Sequence, residues 1–110
     1  MEPTISDATV YYSRNNPKRQ LRGHIVCQVP NNCSLTTVSF VYVNNNLARA
    51  TFAVSGCTGT ATSLTQMDAD ANITLQVDYD RNHQTEFILV FTGGEVEETK
   101  TADTYKRDED

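Results

Sequence analysis

The chain has 110 residues and a mass of 12.3 kDa, enough for one domain of ordinary size. Apolar residues make up 38% and charged residues 21%, so we expect a globular rather than a disordered chain. The net charge of −5 argues against a nucleic-acid partner, because proteins that bind nucleic acid usually present a basic face.

Alternating apolar residues and regularly spaced turn signals predict an all-β chain. The first strand is predicted over residues 4–13, and residues 14–18 form a turn in which Pro17 presets its own φ angle. The second strand covers residues 19–29 and ends at Pro30, which cannot donate a ladder hydrogen bond. One face of this strand is apolar and is expected to face the core: Leu21, Gly23, Ile25, Cys27 and Val29.

Residues 35–55 carry the clearest local signal, a hairpin that turns at Asn44–Asn46. Its apolar face pairs large residues with partners on the other arm: Val38 with Phe52, Phe40 with Ala50 and Tyr42 with Ala48. The other face is largely polar, so a slip of one residue would mix the two faces, and the pattern selects this register.

The three cysteines have different expected roles. Cys27 lies on the apolar face of the second strand and is expected to be a core thiol. Cys33 and Cys57 lie opposite one another at the open end of the hairpin. A disulfide between them would stabilise the fold by roughly 3 kcal/mol and needs an oxidising setting. The alternative is two separate thiols, because long hairpins twist and bulge before their ends.

The second half of the chain contains two more alternating strands. Residues 56–71 are predicted to be a loop with one short strand at 62–67, followed by a strand over residues 72–79. Residues 80–83 turn the chain, residues 85–92 form the last strong strand, and Gly93-Gly94 ends it. The inward residues of the 72–79 strand are predicted to be Ile73, Leu75, Val77 and Tyr79.

About seven short strands predict a single antiparallel β-sandwich, immunoglobulin-like in architecture, with a small β-barrel as the alternative. We expect the sandwich to cover residues 1–94. Residues 95–110 carry seven acidic and three basic side chains and are expected to form a charged C-terminal arm outside it.

The strand at 87–91 is apolar on both faces, so one face needs a cover from elsewhere. If Ile88 and Val90 pack inward, then Phe87, Leu89 and Phe91 point outward and form an interface with another subunit, unless another segment of the chain covers them. A second candidate interface is basic and could bind the acidic arm of a neighbouring copy: Arg14, Lys18, Arg19 and Arg22.

No catalytic or metal-binding set can be assembled from the sequence. His24 and Cys27 have ligand-like spacing but point to opposite faces of a strand. Asp68-Ala69-Asp70-Ala71-Asn72 opens like a calcium loop, yet Ile73 stands where that loop needs glycine, so an ordinary turn is preferred. His83 has no nucleophile beside it in sequence. We therefore expect no enzyme activity, no metal and no cofactor.

The composition favours a structural protein. Fifteen Thr and nine Asn are typical of exported or virion β-proteins, while Met1–Thr4 shows no secretory signal. The longest apolar run is five residues, far below the roughly 20 of a membrane span, so no membrane partner is expected. We predict a virion protein: a bacteriophage capsid decoration or cement protein, or a tail or neck component. Its partners would be copies of itself and a major capsid or other virion protein. The alternative is an extracellular immunoglobulin-like adhesion or ligand-binding module.

Overall fold

A computed structural model describes residues 2–13, 19–44, 47–75, 84–91 and 96–107, and the chain is all-β. The seven strands are β1 (Thr4–Ser13), β2 (Arg19–Pro30), β3 (Ser34–Asn44), β4 (Leu47–Ser55), β5 (Leu64–Leu75), β6 (Gln84–Phe91) and β7 (Val96–Arg107). The predicted turns at 14–18 and 80–83, together with Val77 and Tyr79, lie outside the described residues.

The strands form two small sheets of three strands each, with β7 between them. In one sheet β2 pairs with β1 and β5, and in the other β4 pairs with β3 and β6. The first part of β7 pairs with β6, and its last residues, 104–107, pair with β1. The order β3-β4-β6-β7-β1-β2-β5 is open at both ends, so the small closed barrel is wrong and a sandwich-like arrangement is supported.

The prediction of a purely antiparallel sheet is also wrong, because β4–β6 and β1–β7 are parallel pairs. Parallel neighbours cannot be joined by a tight hairpin and need a crossover connection. Here the chain leaves β4, runs through β5 in the other sheet, and returns to β6 in the same direction.

The core lies between the inward faces of β2, β4 and β6. The predicted face of β2 is confirmed, since Leu21, Ile25, Cys27 and Val29 are all fully buried. Opposite it the rings of Phe52 and Phe87 stack with centroids 6.3 Å apart.

Gly23 has a packing role on the same β2 face. A Cβ placed there would lie 3.0 Å from the Phe87 ring and 3.4 Å from the Phe40 ring. The glycine therefore lets two aromatic rings pack against the β2 backbone.

The hairpin register is confirmed in its middle and wrong at its open end. Phe40 pairs with Ala50 and Tyr42 with Ala48, as the pattern predicts. Val38, however, is the extra residue of a β-bulge, so it does not face Phe52 and is 60% exposed. A bulge places two residues against one, which shifts every later pair by one position.

The short strand predicted at 62–67 is longer than expected, because residues 68–71, predicted as loop, also belong to a strand. β5 begins at Leu64 and pairs residue by residue with the whole of β2. The Asp-Ala-Asp-Ala-Asn segment is therefore strand, neither a turn nor a calcium loop: Ala69 packs against the core and Ala71 is buried in it, while Asp68 and Asp70 are exposed.

The charged arm predicted at 95–110 is likewise corrected. Val96–Arg107 is strand β7, paired with β6 and β1 of the same chain, so the domain extends well beyond residue 94. A polar segment forms a strand here because two strands with unpaired backbone groups lie on either side of it.

Candidate functional site

The predicted apolar interface on β6 is wrong, since the two faces of the strand are reversed. Phe87 and Leu89 are buried within the chain, and Phe91 is half-buried against the same core. Ile88 and Val90 lie on the opposite, outer face and are half-buried. The reversal arises because β4 lies beside β6 and directs Ala50 and Phe52 into the same core layer.

The structure does not test the predicted basic interface, because only part of it lies among the described residues. Arg14 and Lys18 lie outside them, and Arg19 begins β2 opposite Leu75. Arg22 is exposed, and its guanidinium lies 4.8 Å from the centre of the Tyr11 ring. This cation–π contact contributes of order 0.5–1 kcal/mol at an exposed position.

Cys33 and Cys57 are joined by a disulfide in the structure, 24 residues apart in sequence. They do not meet through simple opposition in the hairpin. After the Val38 bulge, Ser34 pairs with Ser55, so the next position on the β4 side of the ladder is Gly56. Gly56 has φ 65°, a left-handed conformation that redirects the chain and carries Cys57 back to Cys33.

The disulfide lies at one end of the molecule, where the tight β2–β3 turn holds the segment after β4. The amide of Cys33 donates to the Pro30 carbonyl at 3.0 Å and closes the turn. The Thr58 amide donates to the Asn32 carbonyl at 2.9 Å, and the Asn32 side chain donates to the Gly59 carbonyl at 3.2 Å.

Asn31 holds the far end of this segment. Its backbone amide donates to the Ser63 carbonyl at 2.9 Å, and its side-chain oxygen accepts from the Thr62 amide at 3.1 Å. Its side-chain nitrogen donates to the Thr62 hydroxyl at 2.7 Å. The segment 56–63 is thus tied to the turn at both ends by hydrogen bonds and by one covalent bond; we call it the clasped loop.

The clasped loop is fixed in conformation and open to solvent. Gly56 and Gly59 have φ of 65° and 67°, and no atom would lie within 4 Å of an added Cβ, so backbone conformation rather than space requires glycine there. Residues 56–60, 62 and 63 are all exposed. The sequence pattern predicted a loop here, but it did not predict the hydrogen bonds by which Asn31 and Asn32 hold the loop.

A second polar cluster joins residues that are far apart along the chain, so the local sequence pattern does not predict it. His24 Nδ1 lies 2.7 Å from Asp70 Oδ1 and its Nε2 lies 3.8 Å from Asp68 Oδ2. The signal is the Asp-x-Asp alternation, which places both carboxylates on one face of β5 opposite His24. Both carboxylates are exposed, so this polar contact contributes at most about 1 kcal/mol.

Within the described residues, no three His, Cys, Asp or Glu side chains are grouped so that they could hold a metal ion. The same residues include no helix long and apolar enough to cross a membrane. Comparison with known proteins finds no match to any family model, curated protein or solved structure.

Proposed function

We propose that this protein is a non-enzymatic binding module of an oxidising compartment, an extracellular adhesion or ligand-binding domain that presents its clasped loop to a partner. The observation that carries the proposal is the exposed loop 56–63, held by the Cys33–Cys57 disulfide and by hydrogen bonds from Asn31 and Asn32. Binding residues are often carried on loops positioned by a rigid scaffold.

The clasp favours binding because the loop is already ordered, so it loses little conformational entropy when it associates with a partner. Each ordered, rotamer-rich side chain at an interface costs about 0.5–1.5 kcal/mol, and a preorganised loop has already met much of that cost. A disulfide also needs an oxidising setting to persist, which supports a place outside a reducing cytoplasm. The proposed architecture is immunoglobulin-like in the sense that a sandwich displays loops at its end.

The chemistry of the clasped loop points to a polar partner. Thr58, Thr60, Thr62 and Ser63 supply hydroxyls, and the loop contains no charged and no aromatic residue. Such a surface recognises hydrogen-bonding groups rather than ions or apolar side chains. Carbohydrate hydroxyls and exposed peptide groups have that chemistry.

Binding to an array of polysaccharides and immobilised extracellular proteins tests the proposal. We expect saturable binding that falls at least tenfold, about 1.4 kcal/mol, in a Thr58→Ala/Thr60→Ala variant. Leu64→Lys, on β5 beyond the loop, is the matched control and should bind normally. Saturable binding unaffected by the loop variant, or no saturable binding to any surface, would contradict the proposal.

A second candidate is the virion structural role, a decoration or cement protein bound to a major capsid protein. The exposed apolar residues on edge strand β3, Val38, Val41 and Val43, favour it, because exposed apolar edges associate. Co-sedimentation with purified capsid shells distinguishes the candidates: retention on shells regardless of the clasped-loop variant supports the virion role.

A further inference from the structure

We propose that Asn72 is an N-glycosylation acceptor and that Asn32, which begins a second sequence of the same type, is not. The acceptor sequence is Asn-x-Ser/Thr with any middle residue except proline. The chain contains it twice, as Asn32-Cys33-Ser34 and as Asn72-Ile73-Thr74. This inference rests on the proposed function, because the modification belongs to proteins that enter a secretory pathway.

The modification is a group transfer to the side-chain amide of asparagine. The co-reactant is an oligosaccharide carried on a lipid pyrophosphate. A bond forms between the amide nitrogen and C1 of the first sugar, while the bond from C1 to the pyrophosphate oxygen breaks. The pyrophosphate leaves with the electron pair of that bond, and the amide nitrogen loses one proton. An acceptor asparagine therefore needs an amide N–H that the transferase can reach, and space for a bulky group afterwards.

Asn72 meets both requirements on strand β5. Asn72 and Thr74 are both exposed and share one face of the strand, while Ile73 between them packs against the core. Arg22 pairs with Asn72 in the neighbouring strand, but its guanidinium lies over the Tyr11 ring on the far side of β2. The surface above Asn72 is therefore open for a glycan.

Asn32 has the opposite surroundings. It is half-buried in the β2–β3 turn, and its side-chain amide donates to the Gly59 carbonyl at 3.2 Å. The middle residue of its acceptor sequence, Cys33, is buried and bonded to Cys57. A glycan on the Asn32 amide would replace a hydrogen of the group that holds the clasped loop and would lie between the turn and the loop. We therefore expect the folded chain to carry no glycan there.

The position of Asn72 leaves the clasped loop free for a partner. The loop ends at Ser63 and β5 begins at Leu64, about eight residues along the strand from Asn72. At about 3.3 Å per residue, the separation is roughly 26 Å. A glycan on Asn72 would cover part of the outer surface of the β1–β2–β5 sheet and leave Thr58 and Thr60 accessible.

The test is to secrete the full chain from a eukaryotic cell behind a cleavable signal peptide and to measure its intact mass before and after an amidase removes Asn-linked glycans. We expect one glycan, and aspartate at position 72 after the amidase, because the enzyme hydrolyses the modified amide. Thr74→Ala and Asn72→Gln should each abolish the glycan. Ser34→Ala is the matched control: it removes the other acceptor sequence at an exposed position, leaves Asn32 in place, and should keep the glycan in full.

Circular dichroism confirms that each secreted variant is folded. An unmodified chain, a glycan at Asn32, or a glycan that survives Thr74→Ala would overturn the inference. Binding of the same samples to the array separates this inference from the proposed function. An unglycosylated chain that binds through the clasped loop overturns this inference alone. A glycan at Asn72 on a chain without saturable binding supports this inference and contradicts the binding role alone.

Discussion

Replacing Phe87 with alanine tests which face of β6 builds the core. The Phe87 side chain is completely buried, stacks on Phe52 and packs against the backbone at Gly23. A buried phenylalanine removes about 150–250 Å² from water, worth roughly 4–6 kcal/mol at 25 cal/mol per Å². Measured Phe→Ala changes in cores of about 3–5 kcal/mol agree with that range. Domains have free energies of unfolding of only about 5–15 kcal/mol, so we expect Phe87→Ala to remove a large part of this stability.

Ile88→Ala is the matched control on the neighbouring position of the same strand. Ile88 is half-buried on the outer face, so its truncation should destabilise by about 1 kcal/mol. Urea unfolding followed by circular dichroism measures both free energies of unfolding, with equal m-values confirming a comparable transition. If Ile88→Ala costs as much as Phe87→Ala, the assignment of the two faces of β6 is refuted.

Three other predictions follow from the fold. Under denaturing, non-reducing conditions an alkylating reagent should add to one thiol, Cys27, and to three after reduction; three additions without reductant would exclude the Cys33–Cys57 bond. Cys33→Ser/Cys57→Ser should lower the free energy of unfolding by about 3 kcal/mol, measured by urea titration, and an unchanged midpoint would show that the bond does not stabilise the fold. Gly23→Ala should destabilise by about 1–3 kcal/mol through its clash with aromatic rings, whereas Gly59→Ala should lose about 1 kcal/mol through backbone strain alone. Thermal melting of both variants checks this order, and a neutral Gly23→Ala would contradict the packing.

The β2 strand shows what local pattern can predict. Its apolar alternation is short-range information, and burial of one face of a pleated strand follows from it directly. The centre of the β3–β4 hairpin is predictable for the same reason, because the turn and the facing residues are close in sequence. The bulge at Val38 cannot be predicted in the same way, because one extra residue changes few local preferences. Its position depends on how the two arms of the hairpin fit the twisted sheet.

Cys33 and Cys57 lie close together, as predicted, but the structural reason differs from the expected one. The two cysteines were expected to meet because they oppose one another in an unbroken ladder. In the structure the bulge removes that opposition, and the left-handed Gly56 restores the approach. The clasp by Asn31 and Asn32 depends on where the segment after β4 returns, and nothing local to either asparagine encodes it.

Composition and alternation were sufficient to predict that the chain is all-β, where β1 and β2 begin and end, and which face of β2 points inward. These features depend on neighbours within a few residues. The tertiary structure alone decided that Phe87 and Leu89 face inward, that Val96–Arg107 is a strand, and that His24 meets Asp70. A strand with apolar residues on both sides can present either face, and a polar segment can pair with any exposed edge. The choice is made by the strands that lie alongside, whose backbone groups need partners and whose side chains share the core.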